Sequence, residues 1–122
     1  MKRSIVPNAF KHYYEDWHFS PVIEKNGTYY FSGVTAARKD KPISSDPEEQ
    51  FHDAFSKLGV YLESAGLGFE HIVEMTTYHV DIKKLMPLFA SVKDKYIKEP
   101  YPTWTAIGVV EFIPDNAWWR CG

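Results

Sequence analysis

The chain has 122 residues and a single cysteine, Cys121. One thiol cannot form an intrachain disulfide, so a packed core has to hold the fold, and a reducing, intracellular setting is the expectation. No apolar run approaches the roughly 18 residues that a membrane span requires, and the first residues lack the apolar core of a secretory signal. A soluble, cytoplasmic protein with no membrane partner is therefore expected. Charge of either sign is never concentrated: the net charge is −2, and no basic run is longer than Lys2-Arg3 or Lys83-Lys84. That leaves no electrostatic footprint for nucleic acid or an anionic membrane. Gly33, Gly59, Gly66 and Gly68 are dispersed and form no phosphate-cradling loop.

What the chain does hold is enough apolar and aromatic material for one core, and residues 1–122 are read as a single domain. Met1 to Asp16 show no clear period and are read as a short strand plus loop. In Phe19 to Gly33, Asn26-Gly27 separates two β-rich runs, as a type I′ hairpin turn requires. Ala36 to Ser45 read as a surface loop. Asp46-Pro47-Glu48-Glu49 then supplies an N-cap, a proline at the first helical position and an acid three residues after the cap. Phe51, Ala54, Phe55, Leu58, Tyr61, Leu62 and Ala65 recur at helical spacing, and Gly66 fits a left-handed stop, which predicts a helix over about 47–65.

Ile72 to Val80 is dense in β-branched and aromatic residues and reads as a strand, with Asp81 placed to cap the next element. Leu85, Leu88, Phe89, Val92 and Tyr96 predict a second helix over about 85–97, with Pro87 in its first turn. Pro100-Tyr-Pro102 ends it, Trp104 to Glu111 forms another strand, Ile113 to Asn116 a turn, and Ala117 to Arg120 a last short strand. This order is α+β or mixed α/β, with two helices to cover one face of a sheet. Strands such as Tyr29-Tyr30-Phe31 and Trp104 to Val110 are apolar on both sides. Their second face needs a partner, and a further copy of the chain is the economical one.

Motifs that carry chemistry alone are nearly absent. His71 with Glu74 and His79 with Asp81 have spacings that could ligate a metal, but neither has a companion cluster, so no metal and no cofactor are expected. Cys121 as a nucleophile would need a base and an activating environment, and as a lone thiol beside the C-terminus it reads as inert. Trp17, Trp104, Trp118 and Trp119 could stack bases, but without a basic groove they read as packing residues.

Three segments taken together resemble the Rid/YjgF family of reactive-intermediate imine deaminases. They are Phe19-Ser-Pro-Val-Ile to Tyr-Phe-Ser-Gly33, the stretch from Asp46 to Asp81 containing AFSKLGVYLESAGLGFEHIVEMTTYHVD, and Pro100-Tyr-Pro-Thr-Trp-Thr-Ala-Ile-Gly-Val109. The likeness runs in order over about residues 18–114. It implies a chorismate-mutase-like α+β subunit with a mixed sheet of about six strands, two helices on one face, and assembly into a homotrimer with clefts between subunits. It also implies a small-molecule ligand. Active members hold the carboxylate of a 2-imino or enamine acid with an arginine, and a glutamate on the last strand assists the water that releases ammonia.

By that resemblance Trp104 stands in the arginine's place, Trp119 where the glutamate would be, Phe89 near an asparagine and Phe19 where tyrosine is common. Gly33, Thr105 and the backbone around Ala106 to Gly108 are the family-like elements that remain. An aromatic wall replaces the polar clamp, which a guanidinium would supply better than any other side chain. Two functional readings are open. One is a trimeric protein that binds an apolar or aromatic metabolite in the cleft lined by Phe19, Gly33, Phe89, Trp104, Thr105, Ala106 and Trp119. The other is an imine or enamine deaminase, or a related hydrolase, that grips its carboxylate with Arg120, Lys93 or a neighbouring subunit's base.

Overall fold

A computed structural model describes residues 1–38 and 41–113, together with the backbone of residues 119–121. The chain begins with strand β1 (Arg3–Ile5), a 3-10 turn at Asn8–Phe10 and a short helix α1 (Lys11–Glu15). The first 16 residues thus hold a helix where a loop is expected. Its aromatic residues are responsible: Phe10 stacks on Tyr13 at 5.8 Å and meets Tyr61 edge-on at 5.3 Å, so tertiary contacts organise a segment that has no period of its own.

Strands β2 (Val22–Lys25) and β3 (Thr28–Phe31) form the hairpin, with Lys25 opposite Thr28. The two turn residues have φ of 54° at Asn26 and 81° at Gly27, as a type I′ turn demands. The Gly27 N–H donates to a Glu24 carboxylate oxygen at 3.0 Å, which holds that carboxyl below its ordinary pKa. β1 pairs antiparallel with the outer side of β2 and completes a three-stranded sheet.

Helix α2 (Pro47–Ser64) lies close to its expected bounds. The Asp46 side chain accepts from the Glu48 N–H at 3.2 Å, and at the other end the Gly66 N–H bonds Glu63 and the Leu67 N–H bonds Leu62, a Schellman stop with Gly66 at φ 75°. Glu49 does not reach back to the cap; it pairs with Arg38, whose guanidinium also meets Asp53 at 2.7 Å and ties the preceding loop to the helix.

Strand β4 (Glu74–His79) runs straight into helix α3 (Ile82–Tyr96). The helix starts three residues before the expected position because Asp81 adopts a left-handed conformation, and its carbonyl accepts from the Lys84 and Leu85 N–H groups at 3.1 Å each. The Asp81 side chain caps nothing. Pro87 consequently falls in the second turn, on an exposed face where the ring costs one backbone bond but displaces no packing.

Strand β5 (Thr103–Gly108) is parallel to β4, stopping short of the expected Glu111, and β6 (Trp119–Cys121) is antiparallel to β4 on its other side. Of the expected turn, 114–116 lie outside the described residues, as do 117 and 118 of the last strand. Among the described residues, hydrogen bonds therefore sort the six strands into two three-stranded sheets, β1-β2-β3 and β5-β4-β6, rather than one six-stranded sheet. At this boundary the Ser32 N–H donates to the Pro21 carbonyl at 2.9 Å, one step beyond the Val22–Phe31 pair in the same antiparallel register, so β3 stays with β2 to its end.

One face of β4, carrying Met75, Thr77 and His79, is buried under α2 and α3 with Phe51, Phe55, Leu58, Tyr61, Phe89 and Val92. Every residue of β5 is exposed, and Val73, Ile107, Val110 and Ile113 present apolar surface to solvent. No helix among the described residues is long and apolar enough to cross a membrane.

Gly27 has no heavy atom near the position a Cβ would occupy, so a side chain there meets only backbone strain. Gly27→Ala is expected to destabilise the fold by about 1–2 kcal/mol, measured by urea unfolding. An unchanged midpoint would contradict the turn assignment.

Candidate functional site

The hydrogen-bond register sets Trp104 opposite Met75 and Ala106 opposite Thr77. In-register parallel neighbours share a face, so Trp104 and Ala106 lie on the helix side of the sheet and Thr105 on the other. β5 is an edge strand, and the indole therefore covers the margin of the core instead of its centre: Trp104 is 38% exposed.

Four groups fix that ring. Phe89, wholly buried on α3, lies beneath it with centroids 6.1 Å apart. The indole Nε1 donates to Thr77 Oγ1 at 2.8 Å, and Thr77 Oγ1 is 2.7 Å from His79 Nε2. Indole is a donor only, so the Thr77 hydroxyl accepts from it and keeps its own proton for a neutral imidazole. His79 is buried beside Phe89 at 4.7 Å, and desolvation lowers its pKa to about 4, so it is neutral at physiological pH. Above the ring, Lys93 Nζ sits 4.7 Å from the Trp104 centroid, a cation–π contact.

Beside this assembly opens a cleft of about 250 Å³ lined by Met75, Lys93, Asp94, Ile97, Tyr101 and Trp104. Tyr101 is largely exposed at its mouth, and Pro102 closes the wall next to Trp104. A second recess of about 570 Å³ lies at the far end of β5, between the start of α3 and Gly108 to Val110.

Of the residues singled out in the sequence, Trp104 and Phe89 come together, but Phe89 supports the cleft from within the core and does not line it. Ala106 is two residues along the same face, whereas Thr105 points away from it. Phe19 stacks on Tyr13 at 5.1 Å, in the cluster of Phe10 and Tyr61, and Gly33 follows β3. Among the described residues no ring contact or hydrogen bond joins Phe19 or Gly33 to Trp104. The Trp119 and Arg120 side chains, Trp118 and the Cys121 side chain lie outside the described residues.

Met75, Thr77 and Ile97 escaped the sequence reading, and His79 entered it only as a metal candidate. Alternation along β4 would have put 75, 77 and 79 on one face, and Lys93 lies one helical turn after Phe89. The metal pairings find other roles: His71 Nδ1 accepts from the Gly68 N–H at 3.0 Å, and His79 bonds Thr77. No group of three or more metal-ligating side chains gathers among the described residues.

With this geometry in view, likeness to known proteins is informative. The family model described as Endoribonuclease L-PSP matches residues 12–117. The chain is 31% identical over 111 residues to the RutC family protein YjgH of Escherichia coli, covering 89% of this chain and 85% of that one. It is 33% identical over 102 residues to a RutC family protein of Aquifex aeolicus, covering 81% and 80%. The solved structure of a protein named YJGH superposes with a TM-score of 0.88 at 26% identity, covering 98% of this chain and 92% of that one. RidA from the Antarctic bacterium Psychrobacter shares the fold at a TM-score of 0.77 and 19% identity, covering 84% and 83%.

Burial of neutral His79 makes stability depend on pH. The unfolded chain binds a proton at about 6.5 that the folded chain resists until about 4, so stability is full above about 6.5 and falls between those values. A loss of about 2–3 kcal/mol from pH 7 to pH 4 is expected from this group, and His79→Gln should flatten that part of the profile in urea unfolding. An identical slope in the variant would contradict the assignment.

Proposed function

The chain belongs to the family described as Endoribonuclease L-PSP, which includes the RutC and YjgF/Rid proteins, and from that premise we propose that it is a homotrimeric small-metabolite binder with little of the 2-imino acid deaminase activity associated with Rid proteins. The observation that carries this reading is Trp104. A half-exposed, uncharged indole, anchored by Thr77 and Phe89, forms the wall of the 250 Å³ cleft at the position where the resemblance expects an arginine.

Assembly is supported by the sheet. β5 is an edge strand exposed along its whole length, and Ile107, Val110, Ile113 and Val73 surround it with apolar surface. Such a surface is stabilised by burial against copies of itself, and closed symmetry disposes of it without an open chain of contacts. The cleft beside Trp104 opens at this margin, so a neighbouring subunit would complete its outer wall. Clefts of this kind, mostly apolar with a few polar groups, suit small organic ligands.

The loss of deaminase activity follows from charge. A bidentate guanidinium–carboxylate contact contributes about 2–4 kcal/mol to holding the substrate, and an indole leaves the carboxylate without that partner. The rate should fall by roughly 30- to 1,000-fold, since about 1.4 kcal/mol is tenfold. RNA cleavage, which the family description names, sits poorly with a net charge of −2 and dispersed basic residues.

Imines generated in situ from several amino acids should release ammonia only slowly with this protein, compared under the same conditions with an arginine-bearing relative. Trp104→Arg should recover part of the difference. A wild-type rate equal to the relative's would overturn the proposal. In sedimentation equilibrium the expected mass is three times that of one subunit, and a monodisperse monomer would contradict the assembly.

A further inference from the structure

Lys57 lies on the buried face of α2, in the same helical pattern as Ala54 and Tyr61, and is only 8% exposed. Its Nζ donates to the Tyr13 hydroxyl of α1 at 3.0 Å and to the Ala37 carbonyl, beyond β3, at 3.0 Å. It also sits 5.7 Å from the centroid of the Phe10 ring and 5.4 Å from that of Tyr13. Among the described residues no carboxylate pairs with it. Burying an ammonium against neutral acceptors costs solvation that an apolar side chain in the same place would keep. What the ammonium supplies, and an apolar side chain could not, is a pair of bonds tying two separate segments to one helix.

Those two segments carry Phe19 and Gly33. The Phe19 N–H donates to the Tyr13 carbonyl at 3.2 Å, and the two rings stack at 5.1 Å. Gly33 precedes Ala37 on the other segment. The Ser32 N–H bonds the Pro21 carbonyl at 2.9 Å and its hydroxyl donates to the Ser20 carbonyl at 2.7 Å, so the hairpin register brings Gly33 beside Ser20, the residue after Phe19. Phe19 and Gly33 therefore form one edge of the first sheet. The same ammonium holds that edge from the Tyr13 side and from the Ala37 side. Both residues are only partly buried, and within the chain no ring contact or hydrogen bond among the described residues joins them to Trp104.

We infer that Lys57 is a positioning residue for ligand binding: it fixes the Phe19–Gly33 edge, and that edge is the wall one subunit lends to the Trp104 cleft of its neighbour. This inference rests on the reading of the cleft as an intersubunit ligand site and adds the residue that sets its second wall. Each wall is then fixed from within its own subunit, Trp104 by Thr77 and Phe89, and Phe19 by Tyr13 and Lys57. A ring already held in place spares the ligand the cost of ordering it.

Phenylacetamide, a small neutral aromatic, is a suitable probe, titrated by isothermal calorimetry at a temperature where melting curves show each variant folded. Lys57→Met keeps the apolar stem and should weaken binding by about three- to thirtyfold. Tyr13→Phe keeps the stack on Phe19, loses only the hydroxyl, and should weaken binding by less. The two substitutions together should do no more than Lys57→Met alone. Mixed trimers of Trp104→Ala and Lys57→Met subunits, co-expressed with different tags, show which cleft the wall serves. If the wall is lent across the boundary, each mixed trimer keeps about one cleft with both residues intact and binds the probe there with wild-type affinity. Mixed trimers without such a site, or a monomeric wild type that binds the probe, would overturn the lending. Wild-type affinity in both Lys57→Met and Tyr13→Phe would overturn the role of Lys57 while leaving the Trp104 cleft a ligand site, and Tyr13→Phe alone decides it should Lys57→Met not fold. Absence of binding by the wild type would overturn the inference and the ligand site together.

Discussion

The position of Phe89 is the constraint on which the rest of this structure depends. Its ring is wholly buried and meets Phe51 and Phe55 of α2 at 5.3 and 5.8 Å, His79 of β4 at 4.7 Å and Trp104 of β5 at 6.1 Å. One side chain therefore ties two helices and two strands together. Close packing permits few other arrangements of rings of this size, so the rotation of α3 about its axis is set by this contact. Lys93, one turn further along, reaches the face of Trp104 because Phe89 has already fixed that rotation. The left-handed Asp81 at the start of α3 serves the same end, since it lets the helix begin directly after β4 and return across the sheet.

At the sheet margin, polar groups finish what packing begins. An indole at an edge strand could turn out to solvent, but its N–H is held by Thr77, and Thr77 in turn faces a neutral His79. Both partners are buried, so breaking the chain would leave a buried polar group unsatisfied, and the ring keeps its place without being enclosed. A fixed aromatic wall beside a small cleft costs a ligand little reorganisation on binding. The same margin is where the sheet exposes β5, so ligand binding and assembly of the chain would share one boundary.

Much of the chain could be read from its residues because the signals were local. The Asn26-Gly27 turn and both ends of α2 depend on conformations that only a few residue types adopt, and each lies where it is expected. The start of α3 was harder to read. Pro87 suggests a first turn, yet a left-handed Asp81 starts the helix earlier, and nothing in the local sequence demands that conformation. The six strands were each legible, but which of them pair, and so their division into two sheets among the described residues, is a tertiary matter. The candidate site shows the same division. Trp104 is marked by the resemblance, which expects an arginine there, and the apolar two-sidedness of its strand anticipates an exposed face. Phe19 and Phe89 looked equivalent to each other in the sequence, and only the fold sends one to the Tyr13 cluster and the other beneath Trp104. Thr77 and His79 became meaningful only once β4 and β5 were paired in register.

Trp104, on this account, is the wall of a ligand site and not merely a cover for the core edge. Its indole N–H gives a resolved signal in a proton–nitrogen correlation spectrum of the labelled protein, assignable by its disappearance in Trp104→Phe. On titration with a small neutral aromatic such as phenylacetamide, that signal should shift saturably while the signal of the exposed Trp17 stays in place. A Trp104 signal that does not move, or that moves only in parallel with Trp17, would contradict the account.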